Sequence, residues 1–226
     1  MRNLLSPSAI LAVFALIGPA AADDSLIRIV LIGDSYLSGY GLDDNDTFGA
    51  RLDSALKLEN PLIHVVDTGY TETSLDAVGR LESFMSTASV LAAPSHRAVI
   101  LELGSNDCGP FKLAETRTNL VALLAPFAAA NVPVLIVGTN PYHHCERAAR
   151  PNYAAEYIRM FADLATQYGD LYYPDFKIAV SGHPDLLQPD HDHPNAQGEA
   201  LIVTKMLPIV RLSVAQAERS NGKISD

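Results

Sequence analysis

Five short apolar runs recur along the chain, separated by longer segments of mixed polarity. They are Leu26–Ile32 (LIRIVLI), Leu62–Val66, Ala98–Leu103, Val132–Val137 and the weaker Leu171–Tyr173. Strands apolar at nearly every position need cover on both faces, which a parallel sheet between helical layers provides. The intervening segments carry the helical period instead. Their spacing predicts helices over Thr47–Leu58, Ser74–Leu91, Leu113–Ala130, Asn152–Tyr168 and Asn195–Val214, with Pro126 kinking the third or ending it early. Tyr153, Tyr157, Phe161, Leu164 and Tyr168 share one stripe and read as core rather than as a ligand site. No repeat or linker divides the chain, so the β-α alternation predicts one α/β domain, a three-layer α/β/α sandwich.

Composition narrows the function classes. At 226 residues and 48% apolar, the chain is long enough to bury its own core and too apolar for disorder. Sixteen Lys+Arg against 26 Asp+Glu give a net charge of −10. No basic cluster compensates, which argues against a protein that grips nucleic acid.

The first 22 residues read as a leader. Arg2 precedes an apolar stretch from Leu4 to Ile17, and Gly18-Pro19 leads to Ala20-Ala21-Ala22 ahead of Asp23-Asp24. This is the pattern of a secretory signal peptide cut after Ala22. The run falls short of the roughly 20 residues a membrane span needs, and no Cys follows the cut that would carry a lipid. The expectation is a 204-residue mature domain, residues 23–226, that is periplasmic or secreted and has no stable membrane anchor. Export places Cys108 and Cys145, 37 positions apart, where disulfides persist. Bridged, they would stabilise the chain by about 3–4 kcal/mol in the chain-entropy model; the alternative is two free thiols in loops.

In an open parallel sheet, chemistry gathers at the carboxyl ends of the strands. There the sequence places Gly33-Asp34-Ser35, Thr68-Gly69-Tyr70-Thr71, Gly104-Ser105-Asn106-Asp107 and Gly138-Thr139-Asn140, with Asp190-His191-Asp192-His193 before the last helix. A serine hydroxyl is a weak nucleophile that needs a base, and imidazole titrates in the right range to be one. His193 is the best-placed histidine, because Asp190 precedes it by three residues and can hold its ring nitrogen in a turn. His191 competes, but its acidic neighbours are adjacent in sequence and poorly placed to orient it. The Asn106 amide can donate to the oxyanion that forms when a serine attacks an ester carbonyl. Taken singly, each feature has a bland reading as a solvated loop or a capping residue.

Together they resemble the SGNH (GDSL) hydrolase family. Gly33-Asp34-Ser35-Tyr36-Leu37-Ser38-Gly39-Tyr40-Gly41 looks like its first block, with Tyr36 where Leu is usual. Gly104-Ser105-Asn106-Asp107 looks like its Gly-x-Asn-Asp block, and Asp190-His191-Asp192-His193-Pro194-Asn195 like its Asp-x-x-His block. Closest in character are small bacterial periplasmic enzymes described as thioesterase I, lysophospholipase or arylesterase. The resemblance implies a flavodoxin-like five-stranded parallel sheet of order 2-1-3-4-5. It implies Ser35 as nucleophile, His193 as base, Asp190 as its orienter, and an oxyanion hole built from the Ser35 N–H and the Asn106 amide.

The second block departs from the family pattern. It reads Asp67-Thr68-Gly69-Tyr70-Thr71-Glu72-Thr73-Ser74, where the family offers a glycine N–H to the hole. Either Thr71 stands at that position and supplies its own N–H, or one residue is missing and Gly69 is the block's earlier glycine. In the resembling enzymes the loop that here holds Cys145 borders the acyl-binding cleft. A Cys108–Cys145 bridge is therefore expected to tie two active-site loops together.

The implied activity is hydrolysis of carboxylic esters, thioesters included, through an acyl-enzyme. The expected partner is a small acyl ester; neither cofactor nor metal is implied, and a monomer is expected. Other readings are a carbohydrate acetylesterase, an acyltransferase using the same residues, or a binding module without catalysis. Competing motifs are weaker. Gly39-Tyr40-Gly41 lacks the third glycine of a dinucleotide site, and neither a phosphate loop nor a Gly-x-Ser-x-Gly elbow occurs. His143, His144 and Cys145 with His191 and His193 can be drawn as a metal site, but His193 is better used beside Asp190 and Cys145 beside Cys108.

Overall fold

In a computed structural model, residues 26–86, 96–107, 113–140 and 152–221 are described. The expected leader (residues 1–22), Cys108, Cys145, His143 and His144 lie outside them. The five apolar runs become strands β1 (Ile27–Gly33), β2 (Ile63–Tyr70), β3 (His96–Glu102), β4 (Val134–Val137) and β5 (Leu171–Tyr173). They pair in parallel in the order β2-β1-β3-β4-β5, as expected.

The sheet is covered on both faces, and alternation along the strands decides which residue goes where. Ile29 and Leu31 of β1, Ile100 of β3 and Leu135 of β4 join one core with Leu52 and Leu56 of α2 (Phe48–Glu59) and with Ile202, Met206 and Val210 of α6 (Ala196–Asn221). Val30, Ile32, Val99 and Leu101 face the other way. They pack on Phe84 of α3 (Ser74–Ser86), on Leu123 and Phe127 of α4 (Leu113–Ala129), and on the aromatic stripe of α5 (Tyr153–Tyr168). Tyr153, Tyr157, Phe161 and Leu164 are all buried, so that stripe is core. A buried Leu or Phe at these positions is worth about 2–5 kcal/mol on truncation to alanine.

Several boundaries differ from the sequence reading. β2 runs on to Tyr70 because it is an edge strand, whose carboxyl half is partly exposed and tolerates Asp67 and Thr68. Pro126 does not break α4; it sits in the last turn, and the chain leaves the helix at Asn131 in a left-handed conformation (φ 53°). α6 outruns its expected end because Val214 and Ala217 still face the protein interior, and Pro208 lies within it. This helix has the length and mean hydropathy (1.4) of a membrane span, yet its apolar side is the sheet-facing core. Asn195 caps it, its Oδ1 accepting the Gln197 and Gly198 N–H groups at 3.0 Å. α3 is described as far as Ser86, and the remainder of the expected helix lies outside the described residues.

Candidate active site

The carboxyl ends of β1 and β3 lie side by side, Gly33 in register with Glu102. From Gly33 the chain turns at Asp34 directly into the one-turn helix α1 (Ser35–Ser38). Gly33 has no room for a side chain, since a Cβ would stand 2.5 Å from Leu37 Cδ1. Gly39 ends the turn with φ 70°, a left-handed conformation that suits glycine. Asp34 caps the turn. One carboxylate oxygen accepts the Tyr36 N–H at 3.1 Å, and the other takes the Ser105 hydroxyl. Ser35 is thereby fixed at the first position of a helix, where the fold leaves its N–H without a helical partner.

Below this turn Asp34 and Glu102 are both fully buried. Burial pushes both carboxyls up, and for Glu102 the neighbouring Asp34 charge adds to it. Asp34 accepts from Tyr36 and Ser105, and its side-chain hydrogen bond with Glu102 lowers Asp34 and raises Glu102, so the proton of the pair belongs on Glu102. A sequence clue existed, a lone Glu near the end of the Ala98–Leu103 apolar run. The folded value of Glu102 lies above the unfolded one of about 4.3. Its contribution is therefore complete below that pH and is lost as pH rises through the folded value. Glu102→Gln should raise Tm by roughly 2–4 °C at about pH 8 and by less at about pH 4, measured by thermal unfolding.

The loop before α6 brings His193 to Ser35. The Nε2 atom lies 2.9 Å from Ser35 Oγ, and Nδ1 lies 2.7 Å from Asp190 Oδ2. Asp190 also organises its own turn, its Oδ1 accepting the N–H groups of Asp192 (3.0 Å) and His193 (3.1 Å). Burial works to raise the Asp190 carboxyl, but these N–H groups and the His193 ring outweigh it and hold it below the usual carboxylate range. A proton on Nδ1 shared with Asp190 leaves Nε2 free to accept the serine hydroxyl. The rings of Tyr36 and Tyr40 flank the imidazole at centroid distances of 5.3 and 4.8 Å. His191, the competitor, is exposed and adopts a left-handed backbone (φ 59°).

Asn106 lines the same cleft as Ser35 and His193, a space of about 650 Å³. Its Nδ2 donates to the Glu72 carbonyl at 3.0 Å, which fixes the amide while leaving the second hydrogen on that nitrogen. Asp107 accepts the Ser74 N–H at 2.9 Å and its hydroxyl, tying this loop to the start of α3. Thr71 requires a correction. Its N–H donates to the Gly33 carbonyl at 3.0 Å, continuing the β1–β2 ladder, so it is not offered to the cleft. The cause is the extra length of β2, whose end is pinned by Arg80 to the carbonyls of Thr68 (2.8 Å) and Tyr70 (2.7 Å) and to Thr71 Oγ1 (2.6 Å). Among the described residues no group of three or more His, Cys, Asp or Glu side chains is arranged to hold a metal.

Residues 31–201 match the model of the GDSL-like Lipase/Acylhydrolase family, a span that includes all of these groups. The chain belongs to the GDSL-like lipase/acylhydrolase family. Solved structures agree on the fold of this GDSL-family protein. TesA is 23% identical with a TM-score of 0.69, over 83% of this chain and 99% of that one. The psychrotrophic esterase EstA from Pseudoalteromonas sp., in a structure inhibited by monoethylphosphonate, is 24% identical with a TM-score of 0.70, over 82% and 97%. AlinE4, an SGNH-hydrolase family esterase, is 27% identical with a TM-score of 0.63, over 85% and 98%. A search of curated proteins finds no match. The GDSL-family chain is thus a hydrolase of the SGNH esterase type. Sequence reasoning missed Glu102 and Lys177 as neighbours of the site, and gave Ser105 no role although it lies in the third block.

Proposed function

We propose that this hydrolase is exported and cleaves carboxylic esters, thioesters among them, through an acyl-enzyme on Ser35. The observation that carries the reading is the chain of contacts Ser35–His193–Asp190 at the wall of an open cleft. Ser35 Oγ attacks the acyl carbon while its proton passes to His193 Nε2. The resulting oxyanion takes hydrogen bonds from the Ser35 N–H and Asn106 Nδ2. His193 then hands the proton to the leaving alcohol or thiol. Water, deprotonated by the same nitrogen, releases the acid and restores the serine. Asp190 holds the imidazolium throughout without itself being protonated. The protein acts as a monomer, periplasmic or secreted, and the Cys108–Cys145 bridge belongs to the same proposal.

A p-nitrophenyl ester series of increasing acyl length, assayed on the mature domain and on its His193→Ala variant, tests this. Turnover should depend on the imidazole and fall by orders of magnitude in the variant. Undiminished turnover in a folded His193→Ala contradicts His193 as base. A second reading, deacetylation of a sugar, is favoured by Tyr40 (61% exposed) and Tyr70 (50% exposed) at the cleft, where aromatic faces can stack on a ring. Acetylated sugars turned over faster than the long-chain esters would select it.

A further inference from the structure

Tyr36 stands where the first block usually carries Leu, and it is the centre of a polar cluster drawn from three separate segments. Its hydroxyl donates to the Asp192 carboxylate, 3.0 Å from both oxygens, and accepts from Lys177 Nζ at 2.6 Å. Lys177 also pairs directly with Asp192 Oδ1, and its ammonium lies 4.4 Å from the centre of the Tyr36 ring. Tyr36 follows the nucleophile, Asp192 precedes His193, and Lys177 lies on the one-turn segment Phe176–Ala179. Tyr36 also stacks on Phe176 at 5.9 Å and contacts the His193 ring. Both Tyr36 and Asp192 are buried. Burial first, then the Asp192 charge, drives the Tyr36 hydroxyl far above its ordinary value, so it remains a donor at any working pH.

A buried carboxylate without partners is costly, and relief comes from turning it out to water. Asp192 is adjacent to His193 in the chain, so a backbone shift that turns it out to water carries the His193 ring with it. We propose that Tyr36, Lys177 and Asp192 form a clamp that positions His193 against Ser35, with Lys177 as the charge that keeps Asp192 inside. The three are positioning residues. The clamp rests on the reading of His193 as the base for Ser35. Small misplacements of a catalytic group are expensive, about 100-fold for 1 Å, so the effect should fall on kcat.

The test compares wild type, Lys177→Met, Lys177→Arg and Tyr36→Phe. Readouts are p-nitrophenyl ester kinetics, the rate of Ser35 labelling by a fluorophosphonate, and thermal unfolding. Lys177→Met should lower kcat by about tenfold or more with KM within about twofold, and slow labelling in parallel. Tyr36→Phe, which removes one oxygen and keeps the ring, should lower kcat about three- to tenfold and carries the test if Lys177→Met does not fold. Lys177→Arg, which preserves the charge, should stay within about threefold of wild type. Wild-type kcat in a folded Lys177→Met or Tyr36→Phe overturns the clamp, and so does a loss that Lys177→Arg shares in full. If wild type is labelled at Ser35 and the variants match it, the clamp alone fails. If wild type takes no label, the serine-hydrolase reading fails and the clamp falls with it.

Discussion

Ser35→Ala should remove turnover while leaving the protein folded, with a loss in kcat on the order of 10⁴–10⁶. The size follows from the role proposed for the hydroxyl: it is the atom that would bond to the acyl carbon, and a donor or acceptor beside it cannot substitute for that. The fold should survive because the turn does not depend on the serine side chain. Asp34 caps α1 through the Tyr36 N–H, and Leu37 is the side chain that anchors the turn in the core. His193→Ala should cost nearly as much. The double variant should lose little beyond the larger single loss, since the proposed nucleophile and base would act as one unit. Near-wild-type turnover in Ser35→Ala, or losses that simply multiply, would contradict a shared role. Steady-state kinetics on the three variants, with circular dichroism to verify folding, decide it.

Asn106→Ala should lower kcat by about 10²–10³ with little change in KM. An oxyanion donor acts on charge that exists only in the transition state, so its loss should not weaken ground-state binding. The upper part of that range is expected here for a structural reason. Thr71, which the family pattern suggested as a third donor, spends its N–H on the Gly33 carbonyl. Among the described residues that leaves the Ser35 N–H and Asn106 for the proposed hole, so the loss of Asn106 would fall on one remaining donor. A loss below about fivefold would mean that the hole is built from groups other than Asn106, and a KM effect of equal size would make Asn106 a substrate-binding residue instead.

The layout of the domain was legible because nearly all the apolar residues of β1, β3 and β4 alternate between one core and the other, so most positions had to be apolar. The three segments that meet at the cleft were legible too. They fall at strand ends or just before a helix, and short motifs mark each one. What was hidden has no local pattern. β2 outlasts its apolar stretch because an edge strand needs only one well-packed half, and this extra length is what commits Thr71 to the ladder. Tyr36 meets Asp192 and Lys177 across separations of 156 and 141 residues, which no periodicity encodes. Glu102 is visible as a charge in an apolar run, but its pairing with Asp34 depends on the β1–β3 register.

The most direct measurement is peptide mass spectrometry after exposure to a fluorophosphonate, in which the Ser35 oxygen would displace fluoride from phosphorus. A stable adduct on the Ser35 peptide of the wild-type protein, formed at least about 100-fold more slowly in His193→Ala, is the expected result. Adducts confined to other residues, or an equal rate in the two proteins, would contradict a serine activated by this histidine.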